Sequence, residues 1–208
     1  MKETIGMIKK NLADSKAAMK QYEWIETTTT YLKVEQKSVK QNQCYYGVDG
    51  KLTKVATSGS TAAAKAPGGL RGRVVANKKQ DMEDYIKAAI AKVKSYMPPD
   101  ATKLQQIYSG GKVSVQVLDP GKKFKLGFPD YNAKADLLSI SLDKTVQKLI
   151  ALDVNTYIDN PADKVIFNTT YDKLPDGTQY ASSTTLDAQA KNLKIVITNS
   201  GFKKAAGK

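Results

Sequence analysis

Apolar residues recur at helical spacing at the start of the chain. The positions that form this stripe are Ile5, Ile8, Leu12, Met19 and Tyr22. Steps of three, four or seven residues place them on one face of a helix of about 18 residues. A second stripe predicts a helix from about residue 78, capped by Asn77 and stopped by Pro98-Pro99, and a short helix follows over residues 100–108.

Between the first two helices the pattern changes to the alternation that is typical of strands. Threonine, valine and aromatic residues predict two strands, over residues 24–47 and 51–56. Asp49-Gly50 lies between them, and this dipeptide favours a tight hairpin turn. The two strands are therefore expected to pair in antiparallel fashion.

From Lys112 to the end the chain alternates apolar and polar residues in short segments separated by turn sequences. Such short links require neighbouring strands to be antiparallel, and about nine strands result in total. We predict an α+β fold in which helices cover a curved antiparallel sheet, an open half-barrel. With 208 residues, the chain is expected to form one domain spanning 1–208.

Residues 57–76 are predicted to be a flexible loop within that domain. Small residues dominate it in the run SGSTAAAKAPGGLRGR. The run lacks the Gly-Lys-Ser/Thr ending of a phosphate-binding loop, because Ala66 follows Lys65. Arg71 and Arg73, the only arginines of the chain, are candidates for binding an anion beside a lid-like loop.

The sequence contains no histidine and only five glutamates, which removes the common catalytic triads and the commonest zinc ligand. Asp159, Asn160 and Asp163 lack the spacing of a calcium loop and are typical of an Asn-Pro turn. We therefore expect a protein that is not an enzyme and that holds neither a metal nor a cofactor.

Aromatic and aliphatic residues are spread along both helices and strands, where they can form a packed core. If the half-barrel is incompletely filled, they line an apolar cavity for a hydrophobic ligand instead. The candidate lining residues are Trp24, Tyr31, Ile86, Ile90, Phe124, Phe128, Leu152 and Phe167.

The formal charge of +13 raises the prospect of an anionic partner. All basic residues except the two arginines are lysines, scattered from Lys2 to Lys208 with no run longer than two. This distribution is typical of a solvated surface rather than of base-reading or single-strand-binding sites. An alternative hypothesis is an adaptor that binds nucleic acid, another anionic polymer or a membrane surface through its lysines.

The order of elements, with the stretches LPDGTQY from Leu174 and IVITNSGFKK from Ile195, resembles the LolA-like family of lipoprotein carriers. The resemblance implies a half-barrel closed by helices around an apolar cavity for lipid or lipoprotein acyl chains, without cofactor or catalysis. It also implies a periplasmic or secreted protein whose signal peptide has been removed. We expect such a protein to be a monomer.

Overall fold

The computed structural model describes residues 2–58 and 69–205 of the chain. The helices are α1 (Lys2–Met19), α2 (Gly69–Lys94) and α3 (Ala101–Ser109), with a short 3-10 turn at Gln189–Lys191. The strands are β1 (Tyr22–Leu32), β2 (Glu35–Tyr46), β3 (Leu52–Ser58), β4 (Ser114–Asp119), β5 (Lys123–Pro129), β6 (Leu137–Asp143), β7 (Lys148–Tyr157), β8 (Lys164–Lys173), β9 (Gln179–Ala188) and β10 (Leu193–Lys204).

All ten strands form one antiparallel sheet in the order β3-β2-β1-β10-β9-β8-β7-β6-β5-β4. The sheet is not closed, and β3 and β4 are its two edges. An open, ten-stranded antiparallel sheet with three helices is consistent with the predicted curved sheet. It also confirms the predicted segregation of helices and antiparallel strands.

The chain passes from one edge of the sheet to the other between β3 and β4. This connection contains α2 and α3, so both helices lie along a path that crosses the whole sheet. Such a long connection is needed because the two strands it joins are the farthest apart in the sheet.

The main core lies between the helices and one face of the sheet, here called the inner face. Residues directly opposite each other in an antiparallel ladder point to the same side. One such row crosses six strands through Phe128, Leu138, Val154, Phe167, Leu186 and Ile195. Ile8 of α1, Val93 of α2 and Leu104 of α3 pack into the same core cluster.

Two boundaries predicted from the sequence are wrong. The strand predicted over 24–47 is two strands, β1 and β2, joined by a turn at Lys33 and Val34. Both turn residues have positive φ, 52° and 65°, although neither is a Gly or Asn that would indicate such a turn. The sheet therefore has ten strands, not about nine.

The second helix begins at Gly69, so Asn77 lies inside α2 and does not cap it. Of the predicted loop 57–76, residues 57 and 58 end β3, residues 59–68 lie outside the described part, and 69–76 are helical. Good helix formers such as Leu70, Arg71 and Ala76 extend the helix towards its N-terminus. The first helix and α3, with Asp100 as its N-cap, agree with the prediction.

The three helices of the described chain include none that combines the length and the apolar character needed to cross a bilayer.

Candidate ligand-binding site

The apolar inner face continues to the β4 edge of the sheet, where the helices no longer cover it. Val115 and Val117 of β4 lie opposite Leu126 and Phe124 of β5. Phe124 in turn lies opposite Leu142 of β6. Leu126 and Leu142 are buried, but Val115 and Val117 are 60% and 55% exposed. The outermost strand thus presents apolar side chains to solvent on the face that elsewhere forms the core.

A cleft of about 360 Å³ opens above this part of the sheet, between the first turns of α1 and strands β4 to β6. We call it the edge cleft. Its lining residues are Thr4, Met7, Val115, Phe124, Leu126, Leu142, Lys144 and Gln147. A volume of this size falls in the range of about 300–1,000 Å³ that is typical of small-molecule sites.

The charged residue of the edge cleft is Lys144, which directly follows β6. Its Nζ atom lies 5.4 Å from the centroid of the Phe124 ring. A cation within about 6 Å of an aromatic face is attracted by the ring quadrupole. The cleft therefore combines an apolar floor with an ammonium group at its rim.

Helix α1 also borders two further clefts. A cleft of about 460 Å³ is lined by Ile8 and Leu12 of α1 and by Pro98, Ala101 and Leu104. A smaller one, of about 200 Å³, lies at the C-terminal end of α1, where Trp24, Tyr46, Tyr171, Tyr180 and Phe202 are among its lining residues. Apolar clefts thus follow α1 along its length.

The middle of the inner face is filled by its own side chains. Phe128, Leu138, Ile140, Leu152 and Val154 have no accessible surface. Close packing leaves no room for a ligand among these five side chains, in keeping with the density of protein interiors. Beside the inner face, open space among the described residues lies around α1 and at the β4 edge. Two further clefts, of about 420 and 360 Å³, lie around Tyr45 and around Tyr31.

The structure distributes the candidate lining residues over several places. Phe128, Leu152 and Phe167 belong to the main core, and Ile86 packs against it. Ile90 is 37% exposed on α2. Because their ligand contacts are untested, these residues stay predictions.

Three other candidates occupy three different sites. Phe124 lines the edge cleft, and Trp24 lines the aromatic cleft at the end of α1. Tyr31 lies opposite Lys194, while its neighbour Thr30 lies opposite the core residue Ile195. Tyr31 therefore points to the outer face of the sheet.

The two arginines lie in the first turns of α2. Arg73 is exposed, and the side chain of Arg71 lies outside the described part of the structure. Anion binding by this pair stays a prediction.

The carboxylates of Glu26 and Asp163 have hydrogen-bond partners in the structure. The buried Glu26 carboxylate accepts hydrogen bonds from Lys54 Nζ at 2.7 Å. Asn160 Oδ1 accepts from the Ala162 N–H at 2.9 Å, as expected of an Asn-Pro turn, and Asp163 accepts from Tyr85 Oη at 2.6 Å. In residues 2–58 and 69–205, no three His, Cys, Asp or Glu side chains are grouped so that they could hold a metal ion.

Sequence reasoning missed the importance of Val115 and Lys144. Alternation in SVQVLD predicts that Val115 and Val117 share a face, but it does not show that β4 is an edge strand. Lys144 is one lysine among many, and its position in the lining of the edge cleft, over Phe124, distinguishes it.

Comparison with known proteins finds solved structures that are similar to this chain at low sequence identity. No protein-family model matches the sequence, and no curated protein matches it. A DUF1329 family protein from Desulfovibrio piger is 9% identical, with a TM-score of 0.44 over 100% of this chain and 94% of that one.

Two further solved structures are similar to this chain. A LolA superfamily protein from Nitrosomonas europaea is 8% identical, with a TM-score of 0.41 over 96% of this chain and 94% of that one. A domain from Vibrio parahaemolyticus described as an outer membrane lipoprotein-sorting protein is 10% identical, with a TM-score of 0.39 over 98% and 93%. A LolA superfamily protein is thus among the solved structures that are similar to this chain. At these TM-scores and identities the likeness says nothing about ligand or activity.

Proposed function

We propose that this protein is a non-enzymatic binding or carrier protein that holds the hydrocarbon chain of a lipid or lipoprotein in the edge cleft. The observation that carries the proposal is the uncovered apolar floor formed by Val115 and Phe124 beside the buried Leu126 and Leu142, with the exposed Val117 next to it on β4. A monomeric globular protein rarely leaves a contiguous apolar face open unless something binds there.

The energetics suit a reversible complex. Each buried methylene contributes about 0.8 kcal/mol, so a chain of about ten methylenes supplies roughly 8 kcal/mol before costs. Ordering the chain and losing its translational freedom offset several kcal/mol of this gain. A ligand can therefore be held and later released, as a carrier requires.

The same proposal includes the periplasmic or secreted location that the LolA-like resemblance of the sequence implies. It also includes the monomeric state that we expect for this chain. It also includes the half-barrel curvature of the sheet, with α1 lying over the concave side.

An uncharged apolar dye, N-phenylnaphthylamine, tests the proposal because its fluorescence rises in an apolar site. We expect wild-type protein to bind it, and Val115→Asp to weaken binding about tenfold because a carboxylate would be desolvated in the cleft. Val55→Asp is the matched control, since Val55 is 47% exposed on β3 at the opposite edge of the sheet.

Circular dichroism of both variants verifies that they fold, which is expected because both valines are exposed. Folded wild-type protein that does not bind the dye would contradict the proposal. Equal affinities of Val115→Asp and Val55→Asp would show that the dye binds elsewhere.

A further inference from the structure

We infer that the ligand of the edge cleft is a single-chain amphiphile with an anionic head group, which pairs with Lys144. This inference rests on the proposed function, because it names the chemical class of the molecule that enters the same cleft. Three features carry it: the fixed position of Lys144, the engagement of the nearby carboxylates, and the size of the cleft.

The backbone of Lys144 is held against the turn between β4 and β5. Its N–H donates a hydrogen bond to the carbonyl of Lys122 at 2.8 Å. Its side chain reaches back over the cleft, so that Nζ lies 5.4 Å from the centroid of the Phe124 ring. The ammonium is therefore placed where the head of a chain lying on the apolar floor would emerge.

The carboxylates of Asp119, the last residue of β4, and of Asp143, which precedes Lys144, have other partners. Asp119 lies 3.8 Å from Lys122 Nζ. Asp143 Oδ1 accepts the Thr145 N–H at 2.9 Å and the Thr145 hydroxyl, and these hydrogen bonds help to hold the pKa of Asp143 below its usual range.

The described residues give the ammonium of Lys144 no ion-pair partner. No described carboxylate lies within 4.0 Å of its Nζ atom. Lys122 is paired with Asp119, and Lys123 lies opposite Asp143 in the ladder. Together with Lys144 these are three lysines against two aspartates. An anionic head group would supply the counter-charge that the rim lacks.

The volume of the cleft favours one chain. About 360 Å³ is near the lower end of the range for small-molecule sites, which is too little for a molecule with two or three acyl chains. The inferred ligand is thus closer to a fatty acid or an alkyl phosphate than to a whole lipoprotein anchor.

Twelve-carbon amphiphiles that differ only in their head group test the inference, with affinities measured by displacement of the dye at pH 8 and low ionic strength. The probes are dodecanoate, dodecyl phosphate, dodecanol and dodecyltrimethylammonium. We expect each anion to bind about fivefold more tightly than dodecanol, the effect of one exposed ion pair, and the cation to bind most weakly. The anion with the higher affinity identifies the head group.

Three variants locate the effect. Lys144→Gln should weaken the binding of the anions about fivefold and leave dodecanol unchanged, whereas Lys144→Glu should make the cation the preferred probe. Lys191→Gln is the control, because Lys191 also lies over an aromatic ring, 5.9 Å from the centroid of Tyr85, but does not line the cleft. It should leave every affinity unchanged.

The outcomes separate the inference from the proposed function. If dodecanol binds as tightly as the anions, or if Lys144→Gln does not change the preference, the inference is overturned and the proposed function stands. If neither the dye nor any amphiphile binds, both are overturned.

Discussion

Asn11 of α1 accepts a hydrogen bond through its side-chain Oδ1 from the backbone N–H of Leu149, at 3.1 Å and 138 residues away in the chain. Leu149 lies beside a β-bulge, since Leu142 pairs with Leu149 whereas Ser141 pairs with Ala151. The side-chain amide of Gln179 donates to the carbonyl of Leu149. The backbone N–H and C=O of Leu149 are thus both hydrogen-bonded to side chains. One of these side chains, that of Asn11, belongs to α1, the helix that borders the clefts.

Replacing Asn11 tests how firmly α1 is attached to the sheet. Asn11→Ala leaves the buried Leu149 amide without its acceptor, which should lower the free energy of unfolding by about 1–3 kcal/mol. Urea denaturation measures the change. Asp14→Ala is the control, because Asp14 is exposed and its ion pair with Lys10, at 2.6 Å, contributes little. Both changes raise helix propensity to a similar degree, so equal stabilities of the two variants would contradict this account.

A buried carboxylate organises the loop between β5 and β6. Asp136 accepts hydrogen bonds from the backbone N–H groups of Tyr131 at 2.6 Å, Asn132 at 3.0 Å and Ala133 at 2.7 Å. It also accepts one from the hydroxyl of Tyr96, which lies just after α2. Burial and this bond to Asp136 raise the pKa of Tyr96. The loop and the end of α2 are therefore joined through one side chain.

Asp136→Asn should lower the free energy of unfolding by about 3 kcal/mol, because an amide cannot accept all these bonds and its NH₂ group would face backbone donors. Chemical denaturation gives the value. Asp130→Asn in the same loop should cost less than about 1 kcal/mol, since the exposed Asp130 accepts from the Ala135 N–H alone, at 2.7 Å. If Asp136→Asn lowers the free energy of unfolding no more than Asp130→Asn does, the hydrogen bonds of the buried Asp136 are not important for stability.

The hydrogen bond from the Tyr22 hydroxyl to Asp176 allows a prediction of how the stability of the fold changes in acid. The hydrogen bond from the Tyr22 hydroxyl, followed by the Thr178 N–H, lowers the pKa of Asp176 to about 2, from an ordinary value of 3.8. Because the folded-state pKa is depressed, the carboxylate stabilises the fold above about pH 3.8, and the contribution is lost as the pH falls towards 2.

Tyr22→Phe should therefore raise the pKa of Asp176 towards 3.8 and make acid unfolding begin at a higher pH. A carboxyl NMR titration and an acid unfolding curve measure the two effects. Tyr171→Phe is the control, because burial alone raises the pKa of Tyr171 to about 12. If the pKa of Asp176 stays near 2 in Tyr22→Phe, the hydrogen bond from the Thr178 N–H is the main cause of the lowered pKa instead.

Changing the two residues of the turn at Lys33 and Val34 should make the protein more stable. Val34 has a φ of 65° and is 96% exposed, so a β-branched residue adopts a left-handed conformation without packing to compensate. Replacing the pair by Asn-Gly should raise the free energy of unfolding by about 1 kcal/mol, because this dipeptide favours both left-handed positions.

Thermal denaturation provides the measurement for this hairpin variant. Placing Asn-Gly at Thr145-Val146 serves as the control, because neither residue has a positive φ. It should give no gain. An unchanged or lower stability of the Lys33-Val34 variant would contradict the assigned turn conformation.

Sequence patterns by themselves determined most of the elements. The apolar stripe of α1, the Asp49-Gly50 turn, the Pro98-Pro99 stop and the meander after Lys112 all depend on local chemistry: periodic apolar positions, turn residues and proline. Such signals act over a few residues and can be read without knowing what lies nearby. The turn at Lys33 and Val34 was missed because it lacks a local signal.

Only the tertiary structure decided where the open apolar surface lies. Alternation shows which residues of a strand share a face, but not that β4 is the last strand or that Phe128 and Leu152 fill the middle. Strand order and helix coverage depend on contacts between distant parts of the chain, such as that of Asn11 with Leu149. For the same reason Lys144 over Phe124 became a candidate binding residue only in three dimensions.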